Sequence, residues 1–331
     1  MDFKEIILKA LRHEDVPMAL VYFSGIHDVG FASRPGPAFD RGPTGGGFDG
    51  FGVRWIAPAS GGGAHIPASD KFVLSDITKW KEVVRFPDID NFDWEECAAR
   101  ELEGCNRAER AVDFGAGNGI FERLATLMGF ENTLLAMAEE PEACYDFFTA
   151  VTDYKIEVAK KVKKYYDADI FTNYDDLATE RSLFMSPGTY RELIKPHHKR
   201  LNEAVSDLGM IPIFHCCGKA ESIVEDMIDC GYAAWTSVQP TNDIASLLKK
   251  YGDRLAIIGG YNTNGLPGRA DATEEVVRAE VRRCFAEYGK LKGYIFFGVK
   301  VTNTLDFNEY MQGMMPMVEE AFKCSFESMQ Y

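Results

Sequence analysis

The chain has 331 residues, of which 46% are hydrophobic and 26% are charged, and its formal net charge is −15. A chain of this length and composition can bury a large core as one domain or as two. Its acidic balance disfavours binding to nucleic acid or to an anionic membrane, because both partners require a basic surface.

The amino terminus predicts no export signal, since Glu5 comes early and the apolar run at 6–8 is short. No stretch approaches the ~18 consecutive apolar residues of a membrane span. The eight cysteines are scattered along the chain, which without an export signal indicates reduced thiols. We therefore expect a cytoplasmic protein with no membrane partner.

Residues 24–70 are rich in glycine and proline and have no periodicity. A segment of this length without periodicity is either disordered or a system of functional loops. The aromatic residues Phe39, Phe48, Phe51 and Trp55 favour packed loops.

From about residue 110, short apolar segments alternate with amphipathic helices, which is typical of buried parallel strands joined by crossover helices. Five strands are predicted at 170–173, 211–214, 233–236, 255–258 and 294–297, with earlier candidates at 19–23, 52–56 and 111–114. Helices are predicted at 141–166, from Ser186 to Gly209 with a kink at Pro196, and at 219–230, 242–251, 272–288 and 307–323. About eight strands predict one α/β domain over 1–331, a (β/α)8 TIM barrel whose functional groups lie at the strand ends.

The predicted strand ends place polar groups at one rim of this barrel. They are Tyr174, Asp175 and Asp176, then His215, Cys216 and Cys217, then Gln239, and finally Tyr261 and Asn262. His215 and Cys217 are two positions apart, so their side chains can point the same way. Imidazole and thiolate together suit zinc, although the same residues can be a strand end with buried thiols.

Asp175 and Asp176 are adjacent carboxylates at one strand end. One of them can act as a general acid or orient a substrate. The alternative is that one aspartate caps the following helix. The glycines of 113–119 do not have the dinucleotide-binding spacing and predict a flexible loop. His197 and His198 are predicted on a solvated helix face.

The sequence resembles the uroporphyrinogen decarboxylase-like superfamily, which includes corrinoid- and zinc-dependent methyltransferases. The resemblance rests on short blocks in a specific order, and it begins with an Asp-x-Phe-Gly-x-x-Trp segment at 49–55. The later blocks are 119–122, 129–131, 140–142, Asp175-Asp176, Ser186-Pro187, 190–192, Lys195-Pro196, 215–218 and 251–253. The resemblance implies a (β/α)8 barrel with its site at the carboxyl-terminal rim.

The decarboxylases of this superfamily use a pair of amino-terminal arginines, whereas this chain has only Arg12 there. The resemblance is therefore closer to the corrinoid-dependent methyltransferases. It implies transfer of a methyl group from a small methylated donor, of the aryl methyl ether (O-demethylase) or methylamine type, to a corrinoid protein. Cobalamin would be supplied by that separate protein, because this chain has no Asp-x-His-x-x-Gly cobalamin motif.

The resemblance implies that His215 and Cys217 bind a metal, with zinc expected, and that His215, Asp175 and Asp176 are catalytic. Tyr174, Gln239, Tyr261 and Asn262 would line the substrate pocket, and 24–70 would cover the barrel mouth. Zinc methyltransferases of this type add a cysteine or a glutamate, where this chain has Val299 and Gln239. Asp175, Asp176 or Cys216 would then have to complete the metal site.

Two alternatives stay open from the sequence. One is a uroporphyrinogen decarboxylase-like enzyme that needs no metal, and the other is a ligand-binding barrel that has lost catalysis. The sequence also leaves the oligomeric state open, including a homo-oligomer.

Overall fold

The computed structural model describes residues 2–30, 42, 46–57, 66–301 and 306–329. Within these residues the strands are β1 Leu20–Val21, β2 Ile26–Val29, β3 Gly47–Phe48, β4 Arg54–Ile56, β5 Ile66–Pro67, β6 Ala111–Ala116, β7 Ile170–Tyr174, β8 Ile211–His215, β9 Ala234–Val238, β10 Ala256–Gly260 and β11 Tyr294–Phe297.

Thirteen α-helices lie before, between and after these strands in the described residues. They are α1 Phe3–Leu11, α2 Tyr22–Gly25, α3 Trp80–Val83, α4 Trp94–Glu101, α5 Ile120–Met128, α6 Phe130–Glu139, α7 Pro141–Tyr166, α8 Pro187–Leu193, α9 Lys195–Asp207, α10 Val224–Asp229, α11 Ile244–Tyr251, α12 Glu274–Tyr288 and α13 Phe307–Glu327. None of them combines the length and the apolar character that crossing a bilayer would need.

Eight parallel strands form one sheet in the order β1-β11-β10-β9-β8-β7-β6-β2. The two edge strands, β1 and β2, follow each other in the chain and are joined only by the four-residue helix α2. The sheet therefore curls until its edges are neighbours, with crossover helices on the outside. The predicted (β/α)8 fold is confirmed.

The inside of the curled sheet is filled by apolar side chains at its amino-terminal end. Alternate strand residues point inward, which are Leu20, Ile26, Ala111, Ile170, Ile213, Ala234, Ala256, Ile258 and Ile295. Helix α1 closes this end with Ile7, Leu8 and Leu11. Layers of inward side chains are the usual filling of such a barrel, so polar groups can collect only nearer its carboxyl end.

Helix α13 and the residue that follows it form hydrogen bonds with Ala19, which directly precedes β1. The Ser325 hydroxyl donates to the Ala19 carbonyl at 2.6 Å, and the Ala19 N–H donates to the Ser328 hydroxyl at 2.9 Å. The edge formed by β1 is thus held by side chains from about three hundred residues further along the chain.

One predicted barrel strand, 52–56, is wrong. Arg54–Ile56 belongs to a separate antiparallel sheet of β3, β4 and β5, in which Trp55 is buried between exposed neighbours. The eighth barrel strand is β2, which contains His27 and Asp28. These polar residues conceal it in the sequence, because a buried parallel strand is expected to be apolar.

The Asp-x-Phe-Gly-x-x-Trp segment is a structural clamp. Asp49 accepts from the backbone N–H groups of Phe51 and Val53, each at 2.9 Å, and from the Trp55 indole at 3.1 Å. Arg123 of α5 donates to the same carboxylate at 2.9 Å and lies over the Phe51 ring. The predicted packed loops of 24–70 are described only at 24–30, 42, 46–57 and 66–70, so Phe39 lies outside the described residues.

The helix that was predicted from Ser186 to Gly209, with a kink at Pro196, consists of two separate helices. Helices α8 and α9 meet at Ile194, and Pro196 falls in the first turn of α9. A proline is tolerated there because the first N–H groups of a helix have no partner within the helix.

Candidate active site at the carboxyl ends of the strands

The ends of β7 and β8 place an aromatic ring directly on an imidazole. Tyr174 and His215 are register partners in these parallel strands. Their rings are nearly parallel, with centroids 4.0 Å apart and an interplanar angle of 24°. Both residues are half-buried, so they face the open end of the barrel while Tyr174 restricts the orientation of His215.

Asp176, His215 and Cys217 form the one group of three potential metal ligands found among the described residues, with ligand atoms within 4.8 Å of one another. Cys217 Sγ and His215 Nε2 are 3.6 Å apart. Zinc bonds of about 2.3 Å to sulfur and about 2.0–2.1 Å to nitrogen, at a tetrahedral angle, place these atoms about 3.5–3.6 Å apart. The sulfur-to-nitrogen distance therefore suits one zinc ion bound by both residues, with Asp176 as a third donor nearby.

Hydrogen bonds hold the loop that carries these ligands. The Cys217 N–H donates to Asp176 Oδ1 at 2.7 Å, and the Cys217 sulfur lies 3.2 Å from the Ser237 hydroxyl. The Gly218 N–H donates to the side-chain carbonyl of Gln239 at 3.0 Å. Gly218 has φ of +85°, and a Cβ there would lie 2.6 Å from the carbonyl oxygens of residues 178 and 179. A glycine is thus required at this turn.

The Cys217 thiol is poorly suited to ionise without a cation. Burial, followed by the charge of Asp176, raises its pKa to about 12. At neutral pH such a thiol keeps its proton, whereas a bound metal ion stabilises the thiolate that serves as its ligand. The donor set is consistent with a site that becomes charged when a metal binds.

Asp175, which the sequence predicts to be catalytic, lies outside this group. It is completely buried, and its carboxylate accepts from the backbone N–H groups of Ile120, Phe121 and Glu122 at 2.9–3.2 Å. These groups are the otherwise unpartnered donors at the start of α5. Asp175 therefore caps a helix, as the alternative prediction stated. The capped helix is α5, which precedes Asp175 in the chain, and not the helix that follows it.

Cys216 is also turned away from the metal group. It is fully buried, and its sulfur accepts from the Leu177 N–H at 3.3 Å. Of the three residues that the sequence left as candidates to complete the site, only Asp176 is brought to His215 and Cys217.

The prediction of a solvated His197-His198 pair is wrong, because these side chains are 3% and 0% exposed. His197 packs against Tyr145, with ring centroids 4.6 Å apart, and burial lowers its pKa to about 4. His198 contacts the carboxylate of Asp175. Both histidines belong to the buried face of α9, which continues at Leu201 and Val205, whereas Lys199 lies on its exposed face.

The other predicted pocket residues have different environments. Tyr261 is 2% exposed and donates its hydroxyl to the Pro267 carbonyl, so the structure does not present it to a substrate. Asn262 is half-buried, and its backbone N–H donates to Glu280. Gln239 is also half-buried but uses its carbonyl oxygen to hold Gly218.

The sequence missed a polar group inside the barrel. The Tyr22 hydroxyl lies 2.5 Å from Asp113 and 3.0 Å from Asp28, and the Thr172 hydroxyl donates to Asp113 at 2.8 Å. Asp113 lies in β6, as the strand predicted at 111–114 implies, and the loop predicted for 113–119 begins only after Ala116. Alternation with the inward residue Ala111 is the signal that places Asp113 inside.

The fold resembles a methyltransferase from Methanosarcina mazei, with a TM-score of 0.66 over 98% of this chain and 99% of that chain, at 14% sequence identity. Similarity at this identity shows a shared fold. By sequence the chain is 30% identical over 106 residues to the methylcobamide:CoM methyltransferase MtaA of Methanosarcina barkeri, which covers 31% of this chain and 30% of that protein.

Two further relatives match longer stretches. The uroporphyrinogen decarboxylase of Methylococcus capsulatus is 27% identical over 202 residues, covering 58% of this chain and 52% of that enzyme. A methylated-thiol–coenzyme M methyltransferase of Methanosarcina mazei is 26% identical over 161 residues, covering 49% and 41%. The chain thus spans between about a third and a half of these curated relatives.

The sequence profile of the uroporphyrinogen decarboxylase (URO-D) family matches residues 52–305, which is more than half of the chain. This match includes β6 to β11 and all three members of the Asp176, His215 and Cys217 group. Together with the fold, it confirms the resemblance stated from the sequence. The chain belongs to the uroporphyrinogen decarboxylase (URO-D) family.

Proposed function

We propose that this protein is a corrinoid-dependent methyltransferase, which takes a methyl group from a small methylated donor and passes it to a separate corrinoid protein. The observation that carries the proposal is the group of Asp176, His215 and Cys217, whose sulfur-to-nitrogen distance of 3.6 Å fits zinc. A porphyrinogen decarboxylase needs no such donor set. Donors of the aryl methyl ether and methylamine types are the classes that we expect.

The names of the relatives support the same reaction class. One is a methylcobamide:CoM methyltransferase and another is a methylated-thiol–coenzyme M methyltransferase. The first name states a methylated corrinoid as substrate, and we extend a corrinoid partner to this chain by that similarity. Cobalamin would therefore arrive on the partner protein, in a cytoplasmic setting.

Asp176, His215 and Cys217 would hold the zinc ion, and Tyr174 would keep the His215 ring in its binding orientation by stacking on it. Bound zinc would supply a Lewis acid for the heteroatom that leaves the methyl group. Gln239 positions the ligand loop through Gly218, and half-buried Asn262 is placed to contact substrate. We propose that the segment 24–70 covers the barrel mouth.

The test combines metal content with methyl transfer. Purified protein should contain about one zinc per chain, and C217S, H215A and D176N should lose it. C105S is the matched control, because Cys105 is a half-buried free thiol outside the group. Transfer is followed by the conversion of a Co(I) corrinoid protein to its methylated form, with a panel of methyl ethers and methylamines as donors.

The three ligand variants should lose transfer together with zinc, while C105S keeps both. Failure of the wild-type protein to methylate any Co(I) corrinoid protein across a broad donor panel would overturn the proposal. Decarboxylation of a porphyrinogen by the metal-free protein would favour the alternative enzyme.

A further inference from the structure

The barrel contains a second polar group, formed by Tyr22, Asp28, Asp113 and Thr172, which the metal-binding residues do not use. Asp28 and Asp113 are register partners on the neighbouring parallel strands β2 and β6, so their side chains lie side by side on the inner face. Tyr22, at the start of α2, reaches both carboxyl groups, at 3.0 and 2.5 Å. Thr172 of β7 contacts both oxygens of Asp113 at 2.8 Å.

The hydrogen count of this group allows two arrangements. A tyrosine hydroxyl has one hydrogen, and an ionised carboxylate can only accept hydrogen bonds. Tyr22 either shares its hydrogen between both carboxylates or donates to one aspartate and accepts from the other, which then carries a proton. The contact of 2.5 Å with the buried Asp113 favours the second arrangement.

The burial of the two aspartates decides which one is protonated. Asp113 is 2% exposed, whereas Asp28 is exposed. An ionised carboxylate is least stable at the buried position. Burial, followed by the charge of Asp28, raises the pKa of Asp113 to about 7. Asp113 then donates to Tyr22, and Tyr22 donates to Asp28, so the chain of hydrogen bonds runs from the interior towards the open end.

This chain of hydrogen bonds shares the barrel interior with the metal group. Thr172 and Tyr174 are alternate residues of β7 and so face the same side. Tyr174 stacks on His215. Burial, followed by the nearby groups of Asp113, Asp28 and Tyr174, raises the pKa of the Tyr22 hydroxyl. The half-buried ring of Phe297 packs on Tyr22, with centroids 5.5 Å apart, and provides an apolar wall beside the chain.

We propose that Asp113, Tyr22 and Asp28 form a proton relay that protonates the heteroatom released when the methyl donor is demethylated. This inference rests on the proposed function, and it identifies the residues that supply the proton consumed in the proposed demethylation. Asp28 is the member that would touch the substrate, and Tyr22 and Asp113 supply protons to Asp28. Thr172 positions Asp113.

The bond between the methyl carbon and the heteroatom breaks, and its electron pair stays on the heteroatom. The methyl carbon forms a bond with the electron pair of Co(I) on the corrinoid protein, and the cobalt becomes formally Co(III). Tyr22 first passes its proton to the ionised Asp28 and takes the proton of Asp113, and the protonated Asp28 then gives its proton to the heteroatom, which leaves both aspartates ionised. Solvent then restores one proton to the relay.

The first experiment locates the stored proton and uses neither donor nor corrinoid protein. Infrared difference spectra between pH 8 and pH 5 should show the carbonyl stretch of a protonated carboxylic acid with a midpoint near 7. D113N should remove that band. E101Q should keep it, because Glu101 also accepts from a buried tyrosine, Tyr166, at 2.6 Å but lies on α4 outside the barrel.

The second experiment measures single-turnover demethylation with donors whose leaving groups differ in basicity. The variants D113N and Y22F should slow donors with strongly basic leaving groups by about 10²- to 10⁴-fold, the range of general-acid catalysis. Donors with weakly basic leaving groups should change little, since those groups need no proton. Y166F is the control for loss of a buried tyrosine hydroxyl and should show no dependence on the leaving group.

Two results would overturn the relay: an equal loss of rate across all leaving groups in both D113N and Y22F, or a carboxylic acid band that D113N leaves in place. Circular dichroism checks folding, and if D113N does not fold, Y22F alone decides through its leaving-group dependence. If the wild-type protein demethylates no donor, the proposed function fails and the catalytic role of the relay fails with it. The infrared band reports the proton on Asp113 separately.

Discussion

Asp175 and His198 form a buried pair, with 2.9 Å between Asp175 Oδ2 and His198 Nε2 and no exposed surface on either side chain. The other ring nitrogen of His198 lies 3.3 Å from the hydroxyl of Tyr190. Asp175 thereby links the first turn of α5 to α8 and α9. Its neighbour Asp176 lies instead with His215 and Cys217 in the proposed metal site, so we assign different roles to the two adjacent carboxylates.

D175N and D176N should consequently affect different properties of the protein, namely its stability and its zinc affinity. D175N breaks a buried pair and weakens the cap of α5, so it should lower the free energy of unfolding by about 3 kcal/mol. Its folded form should still bind zinc. D176N should cost little stability but weaken zinc binding. Urea unfolding and competition with a zinc chelator measure the two effects, and a D175N protein of normal stability that lacks zinc would contradict this division.

The clamp between Asp49 and Arg123 should contribute far more than a surface ion pair. Their side chains are 0% and 1% exposed, whereas those of Asp70 and Arg54 in a comparable pair are 66% and 46% exposed. R123M should lower the free energy of unfolding by about 3–5 kcal/mol, because Asp49 is left as a buried charge. R54M should cost less than about 1 kcal/mol. Similar losses for both variants in urea unfolding would rule this out.

His197 should make the protein less stable as the solution becomes acidic. Its pKa falls from 6.5 to about 4 on folding because it is buried. Between these values the unfolded chain binds the proton and the folded chain does not, so stability decreases as pH falls from 6.5 to 4. H197N should reduce this decrease by on the order of 2 kcal/mol. The exposed neighbour variant K199Q serves as the control, and the prediction fails if both give the wild-type pH profile.

A cysteine at position 299 should strengthen the proposed metal site. The resemblance to zinc methyltransferases implies a thiolate ligand at this position, where the chain has a half-buried valine. V299C should tighten zinc binding by about tenfold, equivalent to ~1.4 kcal/mol. V301C places a thiol on an exposed residue nearby and should leave the affinity unchanged. Equal affinities for wild type and V299C would show that position 299 does not reach the ion.

The regular half of the barrel could be predicted closely from the sequence. Strand β11 was expected at 294–297 and spans Tyr294–Phe297, because a strand buried on both faces is a continuous apolar segment. Strand β2 was not predicted, because it contains the polar residues His27 and Asp28. In contrast, 52–56 contains Val53 and Trp55, whose burial comes from packing in a small antiparallel sheet.

The candidate site shows a similar limit. The pattern His-x-Cys was enough to place His215 and Cys217 together, because alternate residues of a strand share a face. It could not choose between Asp175 and Asp176, since the chain leaves the strand at this point and the next turn decides their directions. It also could not show that Asp28 and Asp113 lie side by side, because that pairing joins two strands more than eighty residues apart.

The hydrogen bonds between α13 and Ala19 have a consequence for how the protein is made. Contacts between residues so distant in the chain form slowly, because a long loop must close before they are gained. The first strand therefore cannot be secured until helix α13 has left the ribosome. Tyr22 and Asp28 follow that strand directly, so we expect the interior of the barrel to acquire its acidic group only after α13 has been synthesised.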